Sequence, residues 1–294
     1  MSASPPGPTP EPASGPPTGP APLVEMVQQE AAYVAKLYTV RNPLLLRLWR
    51  LLEALGGVAM LFWRSVTRGL RPPYPWAEIA TQIETLGVKS ISIAALTSAV
   101  VGLVLSLQFA FFLARFGVQH TVGKVVVLTL FRELGPVLMA LTVGARIGSG
   151  IAAELGSMTV TEQVDAIRAL GADPVKKLVV PRLVACSVVL PALTTLADVL
   201  GLVAGSLVVW LQYEISLREF YRSVVEVANL MDFGSGIAKS VVFGAIIGIV
   251  GCYQGFNVRG GTVGVGRATT ETVAIASVAV CLSDFLLTKL FMAL

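Results

Sequence analysis

The sequence predicts an all-α integral membrane protein, an N-terminal interfacial amphipathic helix followed by about five transmembrane helices. Hydrophobic residues make up 54% of the 294-residue chain and charged residues only 14%, where soluble domains carry about a quarter. Mean hydropathy is +0.75. Apolar runs that reach the roughly 20 residues of a membrane span recur from Val88 onward. So few charges cannot cover a water-facing surface, and a bilayer is the solvent that fits.

The N-terminal elements follow from composition. Met1 to Pro22 contains nine prolines and no Lys or Arg, so it cannot bury a core and is expected to be a disordered tail. It lacks the basic and apolar regions of a signal peptide. Residues 23–73 form a second region. Val24 to Tyr38 is polar and helix-compatible. Leu44 to Pro73 then places Arg47, Arg50, Arg64, Arg68 and Arg71 among Leu, Trp and Phe, too often for a span but at the spacing of a helix lying in the interface. Trp49 and Trp63 would sit at headgroup level. Pro72, Pro73 and Pro75 end it.

Residues 74–294 carry the spans: Val88 to Phe116, Val125 to Ala153, Val184 to Leu211 with a kink expected at Pro191, Ile237 to Phe256, and Val273 to Leu294. Seven Lys or Arg lie between Lys36 and Arg71, and Arg168, Lys176, Lys177 and Arg182 follow the second span. The loop after the first span offers only His120 and Lys124. That asymmetry puts the N-terminus in the cytoplasm. A net charge of +4 is too small to argue for nucleic acid. Cys186, Cys252 and Cys281 lie in apolar stretches without metal-ligand spacing and read as small hydrophobes.

Three features stand out between Arg132 and Arg182. Small residues recur every four positions at Gly144, Gly148, Ala152 and Gly156, as they do at Gly201/Gly205 and Gly244/Gly248. Such stripes serve close helix packing, either within the chain or between copies. Arg132 and Glu133 interrupt an apolar stretch just before Gly135-Pro136, and intramembrane charges of this kind mark a cavity more often than a purely structural pair. Their side chains diverge by about 100° on a regular helix, so they are not expected to pair with each other. Finally, residues 159–171 read as a short cytoplasmic amphipathic helix. Thr159 or Thr161 would cap it, Glu162 sits at capping-box spacing from Thr159, Val160, Val164, Ile167 and Leu170 form one stripe, and Gly171 and Pro174 end it. That shape suits docking of a soluble motor.

Nothing in the sequence suits bond chemistry: His120 is the one histidine, and no metal cluster or catalytic set appears. Gly261 to Gly266 resembles a phosphate loop but is followed by Arg267-Ala268, without the Lys and Ser/Thr that hold phosphate and Mg²⁺. No catalytic residue, metal site or cofactor is expected in this chain.

RELGP at Arg132, the run from Gly144 to Arg182 containing AAELGSM and VTEQVDA, KSVVFG at Lys239 and GVGRATTETV at Gly264 resemble the MlaE/YrbE family over roughly residues 79–294. These are permeases of Mce-associated ABC transporters that move lipids between the inner and outer membranes. The resemblance implies a homodimer in the bacterial inner membrane, two cytoplasmic ATPases that use ATP, and a periplasmic hexamer of MCE-domain proteins. It implies lipid, with phospholipid the expected class, in a pocket lined by Leu103, Leu107, Gln108, Phe112, Arg132 and Glu133. It implies ATPase coupling through Glu154, Glu162, Gln163, Asp165, Arg168 and Asp173. The alternatives are an ion-coupled secondary transporter, with Asp198, Asp284 and Glu133 as a proton relay, a lipid-modifying enzyme, or a non-transporting membrane scaffold.

Overall fold

The computed structural model describes residues 43–293 except Arg71 and Pro73, with the side chains of residues 43–48, 50 and 51 left undescribed. The Pro-rich tail, the 24–38 segment and the side chains of Arg47, Arg50 and Arg71 therefore lie outside the described residues. Every regular element described is helical. The chain divides into two compact units, Met1–Ala54 and Leu55–Leu294. The described part of the first is the opening of helix α1 (Pro43–Gly69), where Trp49 and Leu52 are exposed.

In the second unit the rest of α1 turns Val58 and Leu61 to the core and leaves Leu55, Met60, Phe62 and Trp63 exposed. Helix α2 (Trp76–Val88) has no counterpart among the sequence expectations. Its Ile79, Ile83 and Leu86 recur at helical spacing and face the core.

Five helical stretches are long and apolar enough to cross a membrane: 91–114, 119–160, 175–213, 230–256 and 261–293. The chain is a multi-pass membrane protein, and each span after the first is longer than its apolar run suggested. They comprise α3 (Ile91–Ala114); α4 (Val122–Thr129), continuous through a wide turn with α5 (Gly135–Val160); α7 (Val180–Tyr213); α9 (Leu230–Phe256); and α10 (Gly261–Ala293). Two short helices connect them, α6 (Gln163–Ala169) between α5 and α7, and α8 (Leu217–Val227) between α7 and α9. Pro191 lies inside helix α7, which runs on through it.

The five spans place α6 and the 257–260 turn at one end of the bundle, because Gly156 meets Val258 and Val265. Helix α8 and the residue 119–121 turn share the other end. There Lys124 reaches Glu226 at 2.9 Å. Hydrogen bonding from Lys124, reinforced by its charge, holds the exposed Glu226 carboxyl below its usual range. This tie between α4 and α8 is therefore present at neutral pH and is lost as pH falls past the ordinary carboxylate range toward that lowered value.

The small-residue stripes are intrachain packing surfaces. Gly144 and Gly148 receive Ile247 of α9, Gly244 backs onto the Cys186 backbone, and Gly102 of α3 meets Gly201 of α7 backbone to backbone. A methyl group at Gly102 would overlap the Gly201 carbonyl oxygen, whereas one at Gly150 would meet nothing within 4 Å. Gly102→Ala is expected to cost about 1–3 kcal/mol through forced separation of α3 and α7. Gly150→Ala should be neutral or slightly stabilising, and thermal unfolding of the two purified variants separates these outcomes.

Candidate functional site

Pro136 determines the local geometry of the site. It has no N–H, and its ring would collide with the carbonyl four residues back, that of Arg132. The helix widens by one residue over Leu130–Leu134, closed by the Gly135 N–H donating to the Leu130 carbonyl. The Arg132 carbonyl loses its usual donor, and Lys239 Nζ of α9 donates to it instead at 2.9 Å. Gly135-Pro136 thus frees this one carbonyl, while the helix itself stays continuous. Val175–Val179 forms a second wide turn of the same kind, just before Pro181.

Lys239 is the hub of a charge cluster. Only 1% exposed, its ammonium also donates to Glu133 Oε2 and Thr288 Oγ1, both at 2.7 Å. Asp284 Oδ1 lies 3.1 Å away, within ion-pair range but off hydrogen-bond geometry. The Thr288 hydroxyl lies 3.2 Å from both Glu133 oxygens, close enough to donate to either. Arg132 points elsewhere, its Nε 3.2 Å from Asp232 Oδ1. As expected, Arg132 and Glu133 do not pair with each other. Together with Ser235, Phe291 and Met292, the residues Arg132, Glu133, Lys239 and Thr288 line a small cleft. Lys239 lies nine residues into α9, about 13 Å from the end of the bundle that carries α8. A satisfied lysine flanked by two carboxylates is a stable way to hold charge in lipid, where an unpaired one is costly.

At the opposite end, α5 and the helix leading into α7 project beyond the apolar zone. The continuous helix over 119–160 has 42 residues, about 60 Å, or twice the hydrocarbon thickness. Helix α6 caps this projection. Its start corrects the expected capping box: α5 continues to Val160, and Thr159 Oγ1 bonds back to the Leu155 carbonyl at 2.8 Å. Glu162 occupies the cap position in the left-handed region, at φ 59°, without a side-chain cap bond. The helix ends in a Schellman motif, Gly171 N–H to Arg168 and Ala172 N–H to Ile167. Pro174 begins the next helix. Of the expected stripe, Val164 is buried and Ile167 packs against the core, but Leu170 is 85% exposed.

A profile of the family described as permease MlaE matches residues 79–290. The chain belongs to the MlaE permease family. It is 38% identical over 255 residues to a probable ABC transporter permease protein of Rickettsia bellii, covering 87% of this chain and 98% of the relative. A probable ABC transporter permease protein of Synechocystis is 41% identical over 209 residues, 71% of this chain and 80% of the relative. The chloroplastic protein trigalactosyldiacylglycerol 1 of Arabidopsis thaliana is 36% identical over 244 residues, 83% of this chain and 69% of the relative. Membership makes this chain the non-catalytic membrane subunit of an ABC transporter, a class that works with an ATPase.

In this MlaE permease the residues expected to couple to an ATPase separate into two groups. Glu154 Oε1 forms an ion pair with Arg182 Nη2 at 2.8 Å, and the buried Arg182 also donates to the Leu178 carbonyl at 2.7 Å. Asp173 pairs with Arg68 of α1 and accepts the Val175 N–H at 3.0 Å. Both carboxylates hold the permease's own helices. Glu162, Gln163, Asp165 and Arg168 stand exposed on α6, the last two paired at 2.8 Å. Of the residues expected to contact lipid, Arg132 and Glu133 are brought into the cleft. Leu103, Leu107, Gln108 and Phe112 lie on α3, half-buried or exposed, and do not line it within one chain. Sequence reasoning left Lys239, Thr288 and Asp232 out of the site, although an intramembrane lysine is the same signal that singled out Arg132 and Glu133. Asp198, 2% exposed, has its Oδ1 without a donor among the described residues and packs against Gly135 at the wide turn.

Proposed function

We propose that this chain is the homodimeric permease of an ABC transporter that moves phospholipid between the inner and outer membranes of a bacterium. Two cytoplasmic ATPases dock on α6, a periplasmic MCE-domain hexamer covers the α8 end, and the N-terminus is cytoplasmic. The observation that carries the reading is the arrangement of one polar cleft. The cluster of Arg132, Glu133 and Lys239 opens beside Phe291 and Met292 within an otherwise apolar bundle. A headgroup needs such polar contacts and acyl chains need apolar walls. The name of the Arabidopsis relative, which is that of a glycolipid, is consistent with a lipid cargo.

In this mechanism ATP binding closes the partner ATPases and displaces α6. The long helices on either side of it carry that displacement to the cleft, and lipid leaves toward the α8 end. Arg132 holds the headgroup phosphate. Across the dimer, the α3 face with Leu103, Leu107, Gln108 and Phe112 holds the acyl chains. The α1 helix, with Trp63 exposed, anchors in the cytoplasmic interface.

The test is purification of tagged protein in mild detergent after crosslinking in native membranes, followed by mass spectrometry of bound proteins and lipids. An ATPase, an MCE-domain protein and stoichiometric phospholipid are expected. Lipid transfer that persists in cells depleted of the ATPase would overturn the reading in favour of an ion-coupled carrier.

A further inference from the structure

Two opposite charges stand side by side at the mouth of the cleft. The Arg132 side chain is 44% exposed, with Nε 3.2 Å from Asp232 Oδ1. Its two terminal nitrogens donate no side-chain hydrogen bond among the described residues. The neighbouring Glu133 side chain is 39% exposed. Lys239 and Thr288 hold its oxygens, but a carboxylate has about four acceptor sites and keeps capacity for another donor.

The charges in mutual contact are Arg132 and Lys239 against Glu133, Asp284 and Asp232. Two cations against three carboxylates leave a formal charge of −1. Lys289, the next residue after Thr288, is exposed and joins none of these pairs.

We propose that this cleft selects a zwitterionic phospholipid headgroup, a phosphate linked to an ammonium, over an anionic one. The proposal rests on the lipid-permease reading and names its substrate class. The phosphate takes the two free Arg132 nitrogens in the bidentate geometry that a guanidinium favours. The ammonium settles on Glu133. A headgroup with phosphate but no ammonium satisfies Arg132 yet leaves Glu133 facing a neutral group. It also takes the local formal charge from −1 to −2, in surroundings where uncompensated charge is costly.

The test uses the full-length protein reconstituted into vesicles of equal phosphatidylethanolamine and phosphatidylglycerol, extracted in mild detergent, with bound lipid quantified by mass spectrometry. Wild type is expected to retain phosphatidylethanolamine over phosphatidylglycerol at a ratio of about five to one. Glu133→Gln should keep the same lipid per protein but lose most of that enrichment. Lys289→Gln should keep the enrichment whole. Lipid retained by wild type without discrimination, or full enrichment in Glu133→Gln, overturns the headgroup assignment and leaves the permease reading standing. Wild type that retains no lipid overturns the permease reading itself.

Discussion

Lys239→Met is expected to be the most damaging single substitution in this protein. The Lys239 ammonium is 1% exposed and neutralises Glu133 and Asp284 while donating to the Arg132 carbonyl. Methionine fills much of the same volume, so the effect isolates the charge. Two carboxylates would then face each other in an apolar bundle, and the carbonyl freed by Pro136 would lose its donor. Removing one partner of a buried ion pair costs about 3–5 kcal/mol. Glu133 keeps 39% of its surface, so about 3 kcal/mol, the lower end of that range, is the expected loss. The melting temperature of the purified protein reads it. Adding Glu133→Gln and Asp284→Asn to Lys239→Met removes the stranded charges and should restore most of the stability, while lipid held through Arg132 should lose its preference for an ammonium headgroup. A Lys239→Met protein that melts with wild type and still moves lipid would show that the cluster is dispensable.

The second large effect should appear at α6 and leave the fold alone. Asp165 and Arg168 form an i,i+3 pair, 67% and 59% exposed. Such a pair contributes at most about 0.5 kcal/mol to stability. Exchanging them as Asp165→Arg with Arg168→Asp keeps the pair but reverses the charge pattern offered to a partner. Reversed charges at an interface weaken association strongly, so ATPase recovered with the tagged permease should fall about tenfold or more, with unchanged melting. Normal recovery and normal lipid-stimulated ATP hydrolysis would remove α6 from the coupling path. The corresponding substitutions at Glu154 or Asp173 would be poor tests, because Arg182 and Arg68 tie those side chains into the fold and stability would change as well.

The apolar runs alone determined that this chain is an all-α membrane protein with five spans, since burying a backbone in lipid requires helices of a set length. They did so without resolving the true ends. The helices over 119–160 and 175–213 extend well past the apolar residues into segments whose polarity reads as loop. Gly171 was legible as the end of α6 because a left-handed residue there, at φ 77°, strongly favours glycine. The start of α6 was not, because Thr159 could cap a helix or bond back within the preceding one. The choice fell to packing of α5 against α9, where Thr159 also bonds to the Gly255 carbonyl at 3.2 Å. Arg132 and Glu133 were visible as charges in an apolar run, but their partners stand about 100 or more residues away on α9 and α10. Period and composition report a helix's own faces, and they say nothing about which helix those faces will meet. Sequence therefore determined that charge enters the membrane here, and only tertiary structure decided that Lys239 would neutralise it and Asp232 would orient Arg132. The physical reason is that a buried charge needs a partner, and the partner is chosen by how the helices pack.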